Sequence, residues 1–107
     1  MFGLQQDDID AIIKLLSNYP QIEQAIIFGS RAKGNYKAGS DIDIALKGNN
    51  IDEVVWKVHY KLEEESILPY YFDLLDYNKI ENKELIEHIN RAGIVFYDRS
   101  NSLSTTQ

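Results

Sequence analysis

The chain contains no cysteine, which removes disulfide frameworks and thiolate-bound zinc from the candidate architectures. No apolar run approaches the ~20 residues needed to cross a bilayer. The first residues carry Asp7, Asp8 and Asp10, where a secretory signal would be basic and then apolar. A cytoplasmic protein is expected. Positive charge is also scarce: 11 Lys and Arg stand against 17 Asp and Glu, a formal net charge of −6. That balance opposes non-specific attraction to nucleic acid, so neither stable DNA or RNA binding nor template-directed polymerisation is expected. The length of 107 residues suffices for one core and not for two domains. No repeat or interdomain linker is visible, and two familiar nucleotide motifs are missing. There is no GxGxxG, and although Gly29 and Gly34 have Walker A spacing, Asn35 and Tyr36 occupy the places of the required Lys and Ser/Thr.

What the chain does contain is Gly29-Ser30-Arg31-Ala32-Lys33-Gly34, followed by Ser40-Asp41-Ile42-Asp43-Ile44. The apolar run Gln24 to Phe28 ends abruptly at glycine, the pattern of a buried strand entering a tight turn. Residues 30–33 suit a short helix whose N-terminal N–H groups face the mouth of that strand and can hold a phosphate. Gly29 lets backbone approach the phosphate closely, and the Ser30 hydroxyl can donate to it. Beyond the turn, Ile42, Ile44 and Leu46 alternate with Asp41, Asp43 and Ala45. The two carboxylates therefore share a strand face, roughly 6–7 Å apart. Such a pair raises its own pKa values unless a cation neutralises it, and magnesium, which accepts carboxylates together with substrate phosphates, is the natural candidate. Asp-x-Asp also opens a calcium loop, but the Gly and Glu positions of an EF-hand do not follow. A second β-prone run, Tyr70 to Leu75, carries a lone acid, Asp73. Burying such an acid is costly unless it is paired or metal-bound, and strand spacing of about 4.8 Å can place it beside Asp41 and Asp43.

These residues together resemble the nucleotidyltransferase superfamily that includes DNA polymerase beta, and specifically its minimal nucleotidyltransferase (MNT) branch. The wording GSRAKG followed by SDIDIAL carries the resemblance, which extends from about Leu4 to Asp98. It implies an α/β (α+β) fold with a mixed sheet flanked by helices. It also implies nucleoside triphosphate binding, ATP above all, at Gly29 and Ser30, with Arg31 and Ser40 assigned to the same site. Asp41, Asp43 and Asp73 are implied as catalytic residues and ligands of two magnesium ions, and Asp73 as the group that helps deprotonate the acceptor. Larger members add a helical domain over the nucleotide, which this length does not hold, so a partner is expected to complete the site. In the MNT branch that partner is a helical HEPN-type toxin in a hetero-oligomer. The implied activity is transfer of AMP to a tyrosine of the toxin, with this chain as antitoxin. The alternatives are a small-molecule acceptor, as in aminoglycoside nucleotidyltransferases, and a noncatalytic antitoxin that masks its partner.

The rest of the chain reads as alternating elements. Ile9, Ile12, Ile13 and Leu16 have amphipathic helix spacing, with Asp7 or Asp8 as cap and Pro20 beyond the end. A second helix is expected over 52–65, burying Val54, Val55, Val58 and Leu62, and a third over 82–90, followed by a strand over 94–97. Residues 1–98 form the expected domain, and the polar stretch 99–107 reads as a disordered tail. Arg31, Lys33 and Lys37 are read as nucleotide or partner contacts. Trp56 and Tyr60, four apart, either complete the core edge or form an exposed aromatic surface. His59 and His88 lack ligand-spaced companions and read as ordinary helix-surface residues.

Overall fold

The computed structural model describes residues 2–34 and 41–100. Among the described residues four α-helices and four strands follow one another as α1 (Gln6–Ser17), β1 (Ile22–Phe28), α2 (Ser30–Lys33), β2 (Ile42–Gly48), α3 (Val55–Tyr60), β3 (Phe72–Asp76), α4 (Lys83–Ala92) and β4 (Ile94–Asp98). The strands form one mixed sheet in the order β3-β2-β1-β4. β1 runs antiparallel to both β2 and β4, and β2 runs parallel to β3. The expected mixed sheet with flanking helices is what the chain forms.

Strand register divides the side chains between two unequal faces. Ile27 lies opposite Ile44 and Ala25 opposite Leu46, and these four join the larger core with Ile12, Leu16, Ile42, Val58 and Leu62. β-Branched residues fit a pleated surface buried on one side, and α1 and α3 supply the cover. The opposite face is thinner. There Ile26, Phe28 and Ala45 pack against Ile89 of α4. Asn82 caps α4, its side chain accepting from the Glu84 and Leu85 N–H groups.

Several expectations change. Asp7 and Asp8 do not cap α1: the helix begins at Gln6 without a side-chain cap, and Asp8 Oδ2 accepts from the Tyr70 hydroxyl at 2.8 Å. The expected helix 52–65 is divided into a 3-10 turn Ile51–Glu53, α3, and a π-helical turn Lys61–Glu65. Within it Val54, Val58 and Leu62 are buried, whereas Val55 is only half-buried. β3 starts at Phe72 instead of Tyr70. Arg99, expected to open a loose tail, donates to the carbonyls of Ser17 and Tyr19 at 3.0 and 3.2 Å and so ties the end of β4 to the end of α1. Residues 101–107 lie outside the described residues.

Candidate active site

Register carries the site residues to one margin of the thinner face. Phe28 faces Asp43 across β1 and β2, and Asp43 faces Asp73 across β2 and β3. Directly paired residues share a face, so Phe28, Asp43 and Asp73 form one row across three strands. The next row, Ile26, Ala45 and Leu75, lies under α4. The acids therefore begin where the cover of α4 ends, and His88 of α4 meets the ring of Phe28 edge-on at 6.5 Å. Asp41 and Asp73 are exposed and Asp43 is half-buried.

Gly29 stands at the end of β1 with φ +75° and ψ −152°, a region essentially restricted to glycine. A Cβ built there would lie 2.5 Å from Asp43 Oδ2. The carboxylate thus lies against the bare backbone of the turn. α2 is a single helical turn that begins at Ser30 and ends at Gly34 in the left-handed conformation. Burial, then the charges of Asp73 and Asp41, raise the Asp43 carboxyl above its ordinary value of 3.8. This is the electrostatic state of a carboxylate group that would be relieved by a cation.

A model of the family described as "Polymerase beta, Nucleotidyltransferase" matches residues 10–102. The chain belongs to this nucleotidyltransferase family. No curated protein matches it significantly. Among solved structures it is similar to the toxin-antitoxin MntA-HepT, at 27% identity over 92% of this chain and 76% of the other, with TM-score 0.63. It is also similar to the tri-AMPylated Shewanella oneidensis HEPN toxin in complex with MNT antitoxin, at 26% identity over 95% and 79%, with TM-score 0.63. A toxin-antitoxin with AMP-PNP shares the fold at 24% identity over 92% and 77%, with TM-score 0.65.

Of the residues assigned from the sequence, the nucleotidyltransferase fold brings Gly29, Ser30, Asp43 and Asp73 to this margin, with Asp41 close enough for its charge to act on Asp43. Ser40 and Lys37 lie outside the described residues. Arg31 stands in the single turn of α2. It is 3% exposed, its guanidinium donates to the Phe2 carbonyl at 3.1 Å, and it stacks on the Tyr70 ring at 5.7 Å. Lys33 is exposed. Among the described residues no three His, Cys, Asp or Glu side chains are gathered as a ready-made metal cage. The three aspartates are neighbours through register and charge, an all-oxygen donor set of the kind magnesium accepts alongside water and phosphate.

Sequence reasoning missed His59 and Glu63. His59 Nε2 donates to the Phe72 carbonyl at 2.9 Å, and Glu63 Oε2 accepts from the Phe72 N–H at 2.8 Å, while the two side chains lie 3.0 Å apart. Phe72 precedes Asp73 on the outer strand of the sheet, so this pair occupies the hydrogen-bonding positions that a further strand would fill. Donation to a carbonyl requires the proton on Nε2. The available signal was the i, i+4 spacing of a histidine and a glutamate.

Proposed function

We propose that this protein transfers a nucleotidyl group, AMP from ATP, to a hydroxyl of a HEPN-type helical partner, and so acts as the antitoxin of a toxin–antitoxin pair. The observation that carries the reading is the contact between Asp43 and the backbone of Gly29. It puts a charge-strained carboxylate directly against a turn that has no side chain to obstruct a phosphate. Support for the acceptor comes from the similarity to an MNT antitoxin complexed with an AMPylated HEPN toxin.

In this reading the triphosphate lies along Gly29 and Ser30, where backbone N–H groups and the hydroxyl donate to phosphate oxygens. The acceptor oxygen attacks the α-phosphorus in line. A new O–P bond forms, the bond from the α-phosphorus to the bridging oxygen breaks, and pyrophosphate departs. Asp73 receives the proton of the acceptor hydroxyl, or orients it for loss. Asp41, Asp43 and Asp73 would hold magnesium, two ions in the full assignment, which supplies positive charge for the phosphates when bound. The chain's own contribution is to hold nucleotide and acceptor in reacting geometry.

The test is intact-mass measurement of a HEPN-type protein encoded beside this one, incubated with the chain, magnesium and each nucleoside triphosphate in turn. A gain of one or more AMP units, absent with Asp41→Asn/Asp43→Asn, is the expected result. An unchanged mass in a stable complex would reject transfer to that protein.

A further inference from the structure

α4 crosses the thinner sheet face above the row Ile26, Ala45 and Leu75, and its contacts fix both its direction and its roll. Near its start Leu85 shares a recess with Leu75 of β3. Just past its end Gly93 lies against the Ile26 side chain of β1. A helical rise from residue 85 to 93 is about 12 Å, close to the roughly 10 Å from β3 across β2 to β1. The second half of α4 therefore lies towards β1. Ile89 packs into the sheet. On one flank Asn90 accepts from the Tyr77 hydroxyl at 2.7 Å, at the end of the sheet away from the acids. On the other flank His88 meets Phe28 at 6.5 Å, in the row of Asp43 and next to Gly29. Residues three apart on a helix share a flank, so Arg91 stands with His88, further towards β1. This flank overlooks the Gly29 half of the acid margin and not the Asp73 half.

His88 is half-buried and Arg91 exposed. Among the described residues neither side chain has a hydrogen-bond or ion-pair partner, and Arg91 is not joined to Glu87, four residues before it. Glu84, on the same flank, stands back at the β3 end. In a chain of net charge −6, beside three aspartates, a guanidinium left without an acidic partner favours an anionic ligand. The planar fork of arginine matches phosphate oxygens, and an imidazole N–H adds a further donor.

Resting on the function proposed above, we infer that His88 and Arg91 form the second wall of the phosphate site. The Gly29–Ser30 turn lies on one side and this flank on the other. Between them they hold the terminal phosphates of the nucleoside triphosphate, the part that departs as pyrophosphate. When the bond from the α-phosphorus to the bridging oxygen breaks, that oxygen keeps the electron pair, and donors already in place disperse its charge. The nucleoside has no part in this contact.

The experiment is calorimetric titration of the full chain, with its HEPN-type partner present, using magnesium–ATP, magnesium–pyrophosphate and AMP. The variants are His88→Phe, which keeps a ring against Phe28 and removes both nitrogens, and Arg91→Ala, with Arg91→Lys as the conservative control. Circular dichroism checks their folding. His88→Phe and Arg91→Ala are each expected to weaken ATP and pyrophosphate at least fivefold and AMP less than twofold, and Arg91→Lys to recover part of the loss. In AMP transfer, KM for ATP should rise in step while KM for the partner stays within twofold. Wild-type pyrophosphate affinity in either variant would remove that residue from the site, and in both would overturn the wall with the proposed function still standing. An equal loss for AMP would assign the flank to the nucleoside and overturn the phosphate contact. A wild-type chain that binds neither ATP nor pyrophosphate and transfers nothing would defeat the function, and the wall with it.

Discussion

At Gly29 two independent constraints exclude a side chain: the backbone torsions and the proximity of Asp43 Oδ2. Gly29→Ala is accordingly expected to cost about 1–3 kcal/mol for the strained torsions. It should also push Asp43 out of place, so transfer should fall by far more than the stability loss accounts for. Urea unfolding beside a transfer assay measures both, and an Ala variant with wild-type activity would refute the contact. Asp43 leads to a prediction of opposite sign. Its carboxyl is raised by burial, Asp73 and Asp41, so the folded chain binds this proton more tightly than the unfolded chain. Ionising Asp43 therefore costs stability, and the cost appears as pH rises from the ordinary carboxylate value through the raised one. Asp43→Asn should lose activity in the presence of magnesium, yet in metal-free buffer at pH 7 it should melt higher than the wild-type chain. The gain should shrink as the pH approaches 4, and thermal melts at pH 4 and 7 in EDTA decide it.

The elements separate fold from site in a way that can be tested by pairing two substitutions. Asn82 accepts the first N–H groups of α4, on the part of the sheet the acids do not use. Asn82→Ala should cost about 1 kcal/mol and leave transfer unchanged. Glu63 instead accepts the Phe72 N–H immediately before Asp73. Glu63→Ala should cost about 1–3 kcal/mol for the unpaired group and also lower the turnover of AMP transfer. Equal activity of the two variants would deny Glu63 any part in placing Asp73. The contrast also marks what was legible in the sequence. Alternation in Ile42 to Leu46, and the apolar run stopping at Gly29, announced β1, β2 and the turn because local pattern and tertiary role agree there. The π-helical turn Lys61–Glu65 and the late start of β3 had no local signature. They accompany the hydrogen bonds of Glu63 and His59 to Phe72, contacts between α3 with its π-helical turn and β3 that local pattern does not announce. The contacts of the Arg31 guanidinium with the Phe2 carbonyl and the Tyr70 ring were illegible for a similar reason, since both partners are distant in sequence.

For the whole molecule, the decisive asymmetry is between a sheet face covered by α1 and α3 and one covered only in part by α4. The uncovered row holds the acids in a chain already at net charge −6. Added cations can stabilise such a molecule in two ways, by screening its general repulsion or by occupying the Asp41, Asp43 and Asp73 margin. These differ in what they require. Screening depends on ionic strength and is indifferent to any one acid, whereas site binding stabilises by mass action, about 2.7 kcal/mol at a concentration one hundred times Kd. Magnesium should therefore raise the melting temperature of the wild-type chain beyond sodium at matched ionic strength. The excess should vanish in Asp41→Asn/Asp43→Asn, and both chains should respond alike to sodium. Adding ATP should enlarge the excess, because phosphate oxygens supply ligands that the aspartates do not. If magnesium and matched sodium gave the same rise in both proteins, screening would account for all of it. The margin would then need its nucleotide or its partner before it could hold a cation, in keeping with aspartates that are adjacent but not gathered into a cage.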